Sequence, residues 1–274
     1  MMLIRHHRIA AACFGLAALA ACQPAAKPVS TPAAADQMAA ATEGANQVAP
    51  RVVDSQAVRI LRHSMDYLNG LQRFSAKTQI LTEDKLNTGN RVDFESWGSM
   101  TIERPNKLRG ERHGVGFQQT LLYDGTTLTL YDAARKVYAT KPAPGTIPGM
   151  FQLAYDSLGL SVSISDLVWP DVFPLLMQGV TLARVMDKEI IGGVTCDHLV
   201  FSRPDVDFQI WIPDAGDPLP MKYIVTDPAT PALLSIVTTL SDWKVNQHVP
   251  AATFTFVPPE GAQPVPFLNP DTGI

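Results

Sequence analysis

Three β-rich runs follow one another with no room for a helix between them: Thr195–Ser202, Val206–Ile212 and Leu219–Thr226. Arg203-Pro204-Asp205 separates the first pair, and Pro213 to Pro218 separates the second. Parallel strands need a crossover of about a dozen residues or more, so these runs must pair antiparallel as a meander. In the middle run Val206, Phe208, Ile210 and Ile212 alternate with Asp207, Gln209 and Trp211. Side chains alternate across a strand, so one sheet face is apolar and the other mostly wet. That asymmetry points to binding rather than to chemistry.

The rest of the chain supplies more of the same sheet. Asp54 is placed to cap a helix carrying Ala57, Ile60, Leu61 and Leu68, and Asn69-Gly70 stops it. The period then changes to two, predicting strands over Phe74–Thr82, Arg91–Glu103, Asn106–His113, Phe117–Tyr123, Thr126–Tyr131 and Lys136–Thr140. Asp124-Gly125 reads as a two-residue hairpin turn with positive φ at both positions. Next comes a short helical insert. Pro148 can open a helix whose Phe151, Ala154, Tyr155 and Leu158 share a side, with Gly159 closing it. The greasy segment Ser165–Gly179, with Trp169, Phe173 and Leu176, must break or kink at Pro170 and Pro174. Thr181–Ile190, Ala232–Lys244 and Thr253–Phe256 read as further strands, and the tail Pro258–Pro270 as extended over the surface. The fold expected is mainly β: a curved antiparallel incomplete barrel of about 11 strands, with an N-terminal helix and the insert capping its hollow.

The N-terminus predicts an address. Arg5, His6, His7 and Arg8 precede the apolar run Ile9 to Ala21, too short to span a membrane and typical of a secretory leader. Leu19-Ala20-Ala21-Cys22 has the form of a lipobox, with cleavage before Cys22 and lipid on its sulfur. Two or more acyl chains suffice for stable anchoring. Residues 22–50, rich in Ala and Pro, read as a disordered tether reaching roughly 30 Å. Residues 51–274 then form a single domain.

Loss of the leader with Arg5 and Arg8 takes the net charge from −4 to −6. A mildly acidic chain without a basic cluster argues against nucleic acid as a partner. Of three cysteines, Cys13 leaves with the leader and Cys22 carries lipid, so Cys196 has no partner for a disulfide.

Catalytic and metal-binding patterns are not found. Cys196 and His198 share a strand face about 6.5–7 Å apart, too far for a thiol–imidazole hydrogen bond, and Asp197 points the other way. His63, His113, His198 and His248 lack metal-ligand spacing, and neither a nucleophile elbow nor a phosphate loop occurs. No cofactor is expected. Phe151, Tyr155, Trp169, Phe173 and Leu176 from the insert, with Phe208 and Ile210 from the meander, could line a ligand cavity or fill it as ordinary core.

The runs Gly193-Val194-Thr195-Cys196-Asp197-His198-Leu199-Val200-Phe201, Val206-Asp207-Phe208-Gln209-Ile210-Trp211-Ile212 and Gly216-Asp217-Pro218-Leu219-Pro220-Met221-Lys222 resemble a bacterial family of predicted periplasmic proteins of unknown function. The similarity extends from the helix near Ala57 to Phe254-Thr255-Phe256-Val257-Pro258-Pro259, with Phe208 where the family has Trp. More distantly, Ser75-Ala76-Lys77-Thr78-Gln79 and Tyr123-Asp124-Gly125 resemble the lipoprotein-localisation carrier and receptor, half-barrels with an acyl-binding hollow. That resemblance implies a non-enzymatic lipoprotein of the envelope, anchored through Cys22 in the outer membrane and facing the periplasm. Its hollow would take an acyl chain, a lipid or a lipoprotein. A second expectation is an envelope sensor or assembly partner with a filled core that acts through protein contacts. Half-barrel to ligand is analogy, since fold does not fix function.

Overall fold

In the computed structural model the described residues are 52–158, 165–228 and 234–267. The expected leader, tether and Cys22 lie outside them.

The described chain begins with β1 (Val52–Val53) and α1 (Ser55–Gly70). Asp54 caps α1 by accepting from the Gln56 N–H at 2.7 Å. Six strands follow: β2 (Arg73–Lys85), β3 (Arg91–Glu103), β4 (Lys107–Gly114), β5 (Phe117–Tyr123), β6 (Thr127–Asp132) and β7 (Val137–Pro142). The insert comprises α2 (Ile147–Leu158), α3 (Ser165–Val168) and α4 (Val172–Met177). The chain returns to the sheet with β8 (Leu182–Ile191), β9 (Val194–Ser202), β10 (Asp207–Pro213), β11 (Lys222–Thr226), β12 (Ser235–Val245) and finally β13 (Gln263–Pro264).

All thirteen strands form one open sheet in the order β1-β8-β9-β10-β11-β12-β2-β3-β4-β5-β6-β7-β13. The long strands β2 to β12 pair antiparallel throughout. The expectation of a wholly antiparallel sheet is corrected at both edges, where β1 runs parallel to β8 and β13 parallel to β7. Two-residue strands carry too little sequence for a period to show.

Four local expectations are revised. Leu219–Thr226 is strand only from Lys222, because the flanking prolines break the ladder and Leu219 turns inward, buried. Thr253–Phe256 is no strand; Ala251–Phe254 is a 3₁₀ turn. At the Asp124-Gly125 hairpin only Gly125 takes positive φ (104°). Asp124 instead accepts from the Thr126 and Thr127 N–H groups, which makes an Asx turn within a longer loop. Trp211, expected on the wet face, is buried there, for reasons given below. Pro170 does break the insert, separating α3 from α4, whereas Pro174 is accommodated in the first turn of α4.

The helices cover one face of the sheet. α1 packs on β8, β9 and β10 and against α3 and α4. Its Ala57, Leu61, Met65 and Leu68 are buried, and its buried Ser64 hydroxyl donates to the Pro218 carbonyl at 2.6 Å. Ile147 and Met150 of α2 join the same buried cluster as Leu108, Tyr123 and Leu128.

On the opposite face the C-terminal segment seals β4 to β7. Phe254 is buried there, with the Lys107 ammonium 5.8 Å from its ring centroid. Phe256 packs 5.5 Å from Tyr131 and 5.0 Å from Tyr138, and Arg109 Nη1 donates to the Thr253 carbonyl at 3.3 Å.

Candidate functional site

Residues directly opposite in neighbouring strands share a face, so the register traces rows across the helix side of the sheet. One row runs Phe201, Phe208, Val225, Ile236, Thr82, Phe94. The next runs Leu199, Ile210, Tyr223, Thr238, Ile80, Ser96, Gly114, Phe117. Both begin under the helices and end clear of them. In the first row Phe201 and Phe208 are buried and stacked at 4.7 Å, Val225, Ile236 and Thr82 are half-buried, and Phe94 is 51% exposed. At about 4.8 Å per strand, six strands make a row of roughly 24 Å.

The open end has its own composition. The Phe117 ring lies over Gly114, where a Cβ would meet it at 2.8 Å. At Gly98 a Cβ would stand 1.8 Å from the Glu111 carbonyl oxygen, so only glycine lets β3 and β4 approach as they do. Arg112 donates through Nε and Nη2 to the Gln119 side-chain oxygen and stands 5.3 Å from the Phe117 ring centroid. Its side chain is exposed, while desolvation by the surrounding protein lowers its pKa.

The residues singled out from the sequence fall at the covered end. Phe151, Phe173, Leu176, Phe208 and Ile210 all belong to one buried hydrophobic cluster, and half-buried Trp169 packs against it. Arg62 of α1 lies over the Phe173 ring at 3.9 Å. Tyr155 stands apart from these, at 37% exposed on α2. Phe94, Phe117 and Arg112 went unnoticed in the sequence. For Phe94 alone there is a local signal, the even-numbered register of β3, Phe94-x-Ser96-x-Gly98-x-Met100-x-Ile102, which is apolar or small throughout, whereas Phe117 on β5 and Arg112 on β4 join it only through register.

Two arginines in the turns that follow β3 and β9 hold the short helices. Arg203 Nη1 donates to the Leu175 carbonyl of α4 at 3.0 Å, and Arg104 Nη1 to the Val168 carbonyl of α3 at 2.9 Å. Between them Asp166 of α3 accepts from the buried Tyr223 hydroxyl at 3.4 Å. Burial pushes the Asp166 carboxyl up to about 7, against the opposing pull of Tyr223 and the Arg203 charge. Tyr223 is itself held well above its ordinary value, first by burial and then by Asp166.

Cys196 and His198 lie on the other face, where the buried Cys196 thiol meets the Val194 carbonyl and His198 belongs to a separate aromatic and polar cluster. The imidazole stacks on Trp211 at 4.1 Å and meets Gln209 through Nε2 and Glu189 through Nδ1, each at 2.9 Å. Trp211 Nε1 donates to Glu189 at 3.0 Å, and Lys222 stands 4.5 Å from the Trp211 ring centroid, which is how that indole comes to be buried. The Cys196 thiol, pushed up to about 11 by burial and the nearby Asp214 and Asp197 charges, is a poor nucleophile. Among the described residues no three His, Cys, Asp or Glu side chains stand together to hold a metal.

The arrangement is thus an open sheet with one apolar face partly capped by helices, a class of β architecture built around an interior surface. The chain belongs to the family described as predicted periplasmic protein (DUF2092), whose model matches residues 57–268. No curated protein matches it in sequence. Among solved structures it is similar to the Mycobacterium tuberculosis lipoprotein LppX: 17% identity, 72% of this chain and 99% of that one, TM-score 0.44. LprF from Mycobacterium bovis is similar at 13% identity, over 73% and 98%, with TM-score 0.43. A LolA superfamily protein from Nitrosomonas europaea is similar at 13% identity, over 73% and 97%, with TM-score 0.39.

Proposed function

We propose that this protein holds a hydrophobic ligand (an acyl chain, a lipid or the lipid of a lipoprotein) along the helix side of its half-barrel, without catalysis. The observation that carries the reading is the row from Phe208 to Phe94, apolar but for Thr82, which leads without interruption from exposed surface into the covered cluster. A row of roughly 24 Å exceeds the half-thickness of a bilayer's 30 Å hydrocarbon core, which is the reach of one acyl chain. Each methylene fully buried there gains about 0.8 kcal/mol. In this reading Phe151, Trp169, Phe173, Leu176, Phe208 and Ile210 form the closed inner end of the site, with Tyr155 at its rim. Cys22 anchors the protein in the outer membrane, and residues 22–50 let the domain stand off into the periplasm.

A second reading is favoured by one observation: the inner residues already pack against one another. A filled core suits a sensor or assembly partner that works through protein contacts.

Native mass spectrometry of the full chain carrying Cys22→Ser, purified after export, separates the two. A co-purifying lipid mass, or uptake of added oleic acid, is expected. A bare mass that takes up no added lipid would overturn the carrier reading in favour of the protein contact.

A further inference from the structure

The two arginines that hold the short helices differ in one respect. Arg203 makes three kinds of contact: Nη1 on a helix carbonyl, Nε on Asp205 Oδ1 at 3.1 Å, and Nη2 on Asp205 Oδ2 at 3.0 Å. The Nε and Nη2 hydrogens are parallel, so this edge of a guanidinium grips a carboxylate in two places. Arg104 repeats the first contact and lacks the others. Its Nη1 donates to Val168, but Nε and Nη2 are buried and meet no acceptor among the described residues. The guanidinium faces the helix side, 5.6 Å from the ring centroid of Phe74, and among the described residues no carboxylate pairs with it.

A buried guanidinium stays charged, and a buried charge without a partner is costly. Burial alone lowers the Arg104 pKa, with no neighbouring acid acting against it. A buried donor without a partner calls for an explanation, and an anion that binds there is one.

We propose that Arg104 is the counter-charge for the acidic headgroup, carboxylate or phosphate, of an amphiphile bound on the helix side of the sheet. The inference rests on the lipid-binding reading above and narrows it. Arg203 and Asp205 are the template for the geometry: the headgroup oxygens take the Nε and Nη2 edge while Nη1 keeps its helix carbonyl. Phe74, beside the guanidinium, is buried in the covered apolar cluster, which would be the tail's first neighbour.

The test holds the tail constant and varies the head. Oleic acid, oleoyl lysophosphatidic acid and oleyl alcohol are titrated against the full chain carrying Cys22→Ser, in wild-type and Arg104→Met forms. Charge-assisted hydrogen bonds of this kind correspond to roughly ten- to a hundredfold in affinity. Wild type is expected to bind an acid that much more tightly than the alcohol. Arg104→Met should bring the acid down to the level of the alcohol measured on the same variant. Preference between carboxylate and phosphate identifies the source of the headgroup. Equal binding of acid and alcohol by wild type overturns the inference while lipid binding stands, and that comparison needs no variant to fold. An acid preference that survives Arg104→Met overturns it as well. Failure of all three lipids to bind removes the lipid-binding reading, and this inference with it.

Discussion

The covered and open ends of the helix-side face are built on different strands of one sheet with the same alternation, yet they behave as different materials. Under α1, α3 and α4 the side chains are buried in a single cluster. Five strands along from Phe201 in the same row, Phe94 is half in water. Nothing in the strand pattern changes between these ends. The difference is what lies above, because burial of a sheet face depends on the layer packed against it. An apolar surface that continues past its cover is a place where something else can lie.

Substitutions can sharpen that contrast. The largest effect on stability is expected from Ile210→Ala at the covered end. Removing a fully buried Ile leaves a cavity and costs about 2–5 kcal/mol, read as a lower midpoint in urea or heat. An equally small loss there would break the distinction, since it would mean that the cluster is loosely packed.

The next effect is one of pH. Asp166 carries a folded-state pKa raised from 3.8 to about 7, so between those values the folded chain holds a proton that the unfolded chain has released. Its contribution to stability is therefore full below about pH 4 and is lost as pH rises towards 7. The melting temperature followed from pH 4 to 8 should show this decline, and Asp166→Asn should flatten it. An unchanged slope in the variant would show that Asp166 is not held apart from solvent.

The smallest effect on stability belongs to the open end. Phe94→Ala should shift folding by no more than about 0.5 kcal/mol, as at other exposed sites. Its expected consequence is weaker uptake of oleic acid, seen by native mass spectrometry. Full uptake would place the ligand elsewhere.

The sheet was largely legible in the sequence because alternation is a local signal. The meander, the capping role of Asp54 and the break at Pro170 can each be read from a few adjacent residues. What could not be read depends on contacts distant in the chain. Phe254 falls in a β-like run, yet it turns to cover β4, more than a hundred residues earlier. Trp211 alternates as a wet residue, but His198, Glu189 and Lys222 from three other strands enclose it. Of the candidate site, the inner apolar residues were visible as greasy runs. The open end was largely hidden, because Phe117 and Arg112 join it only through cross-strand register. Arg104 carried no signal at all, since an arginine before a proline reads as a turn.

The two parallel edge strands have a consequence for keeping copies of this chain apart. Unpaired strand edges invite sheets to join one another and aggregate, and proteins commonly blunt them with very short strands and prolines. Here a two-residue piece from near each terminus of the domain does the blunting, Val52–Val53 along β8 and Gln263–Pro264 along β7. The β8 edge is met by residues some 130 positions earlier in the chain, so it stays bare until distant segments have come together. Trimming either strip would leave ladder groups open to a second copy, and self-association would then arise at an edge far from any ligand.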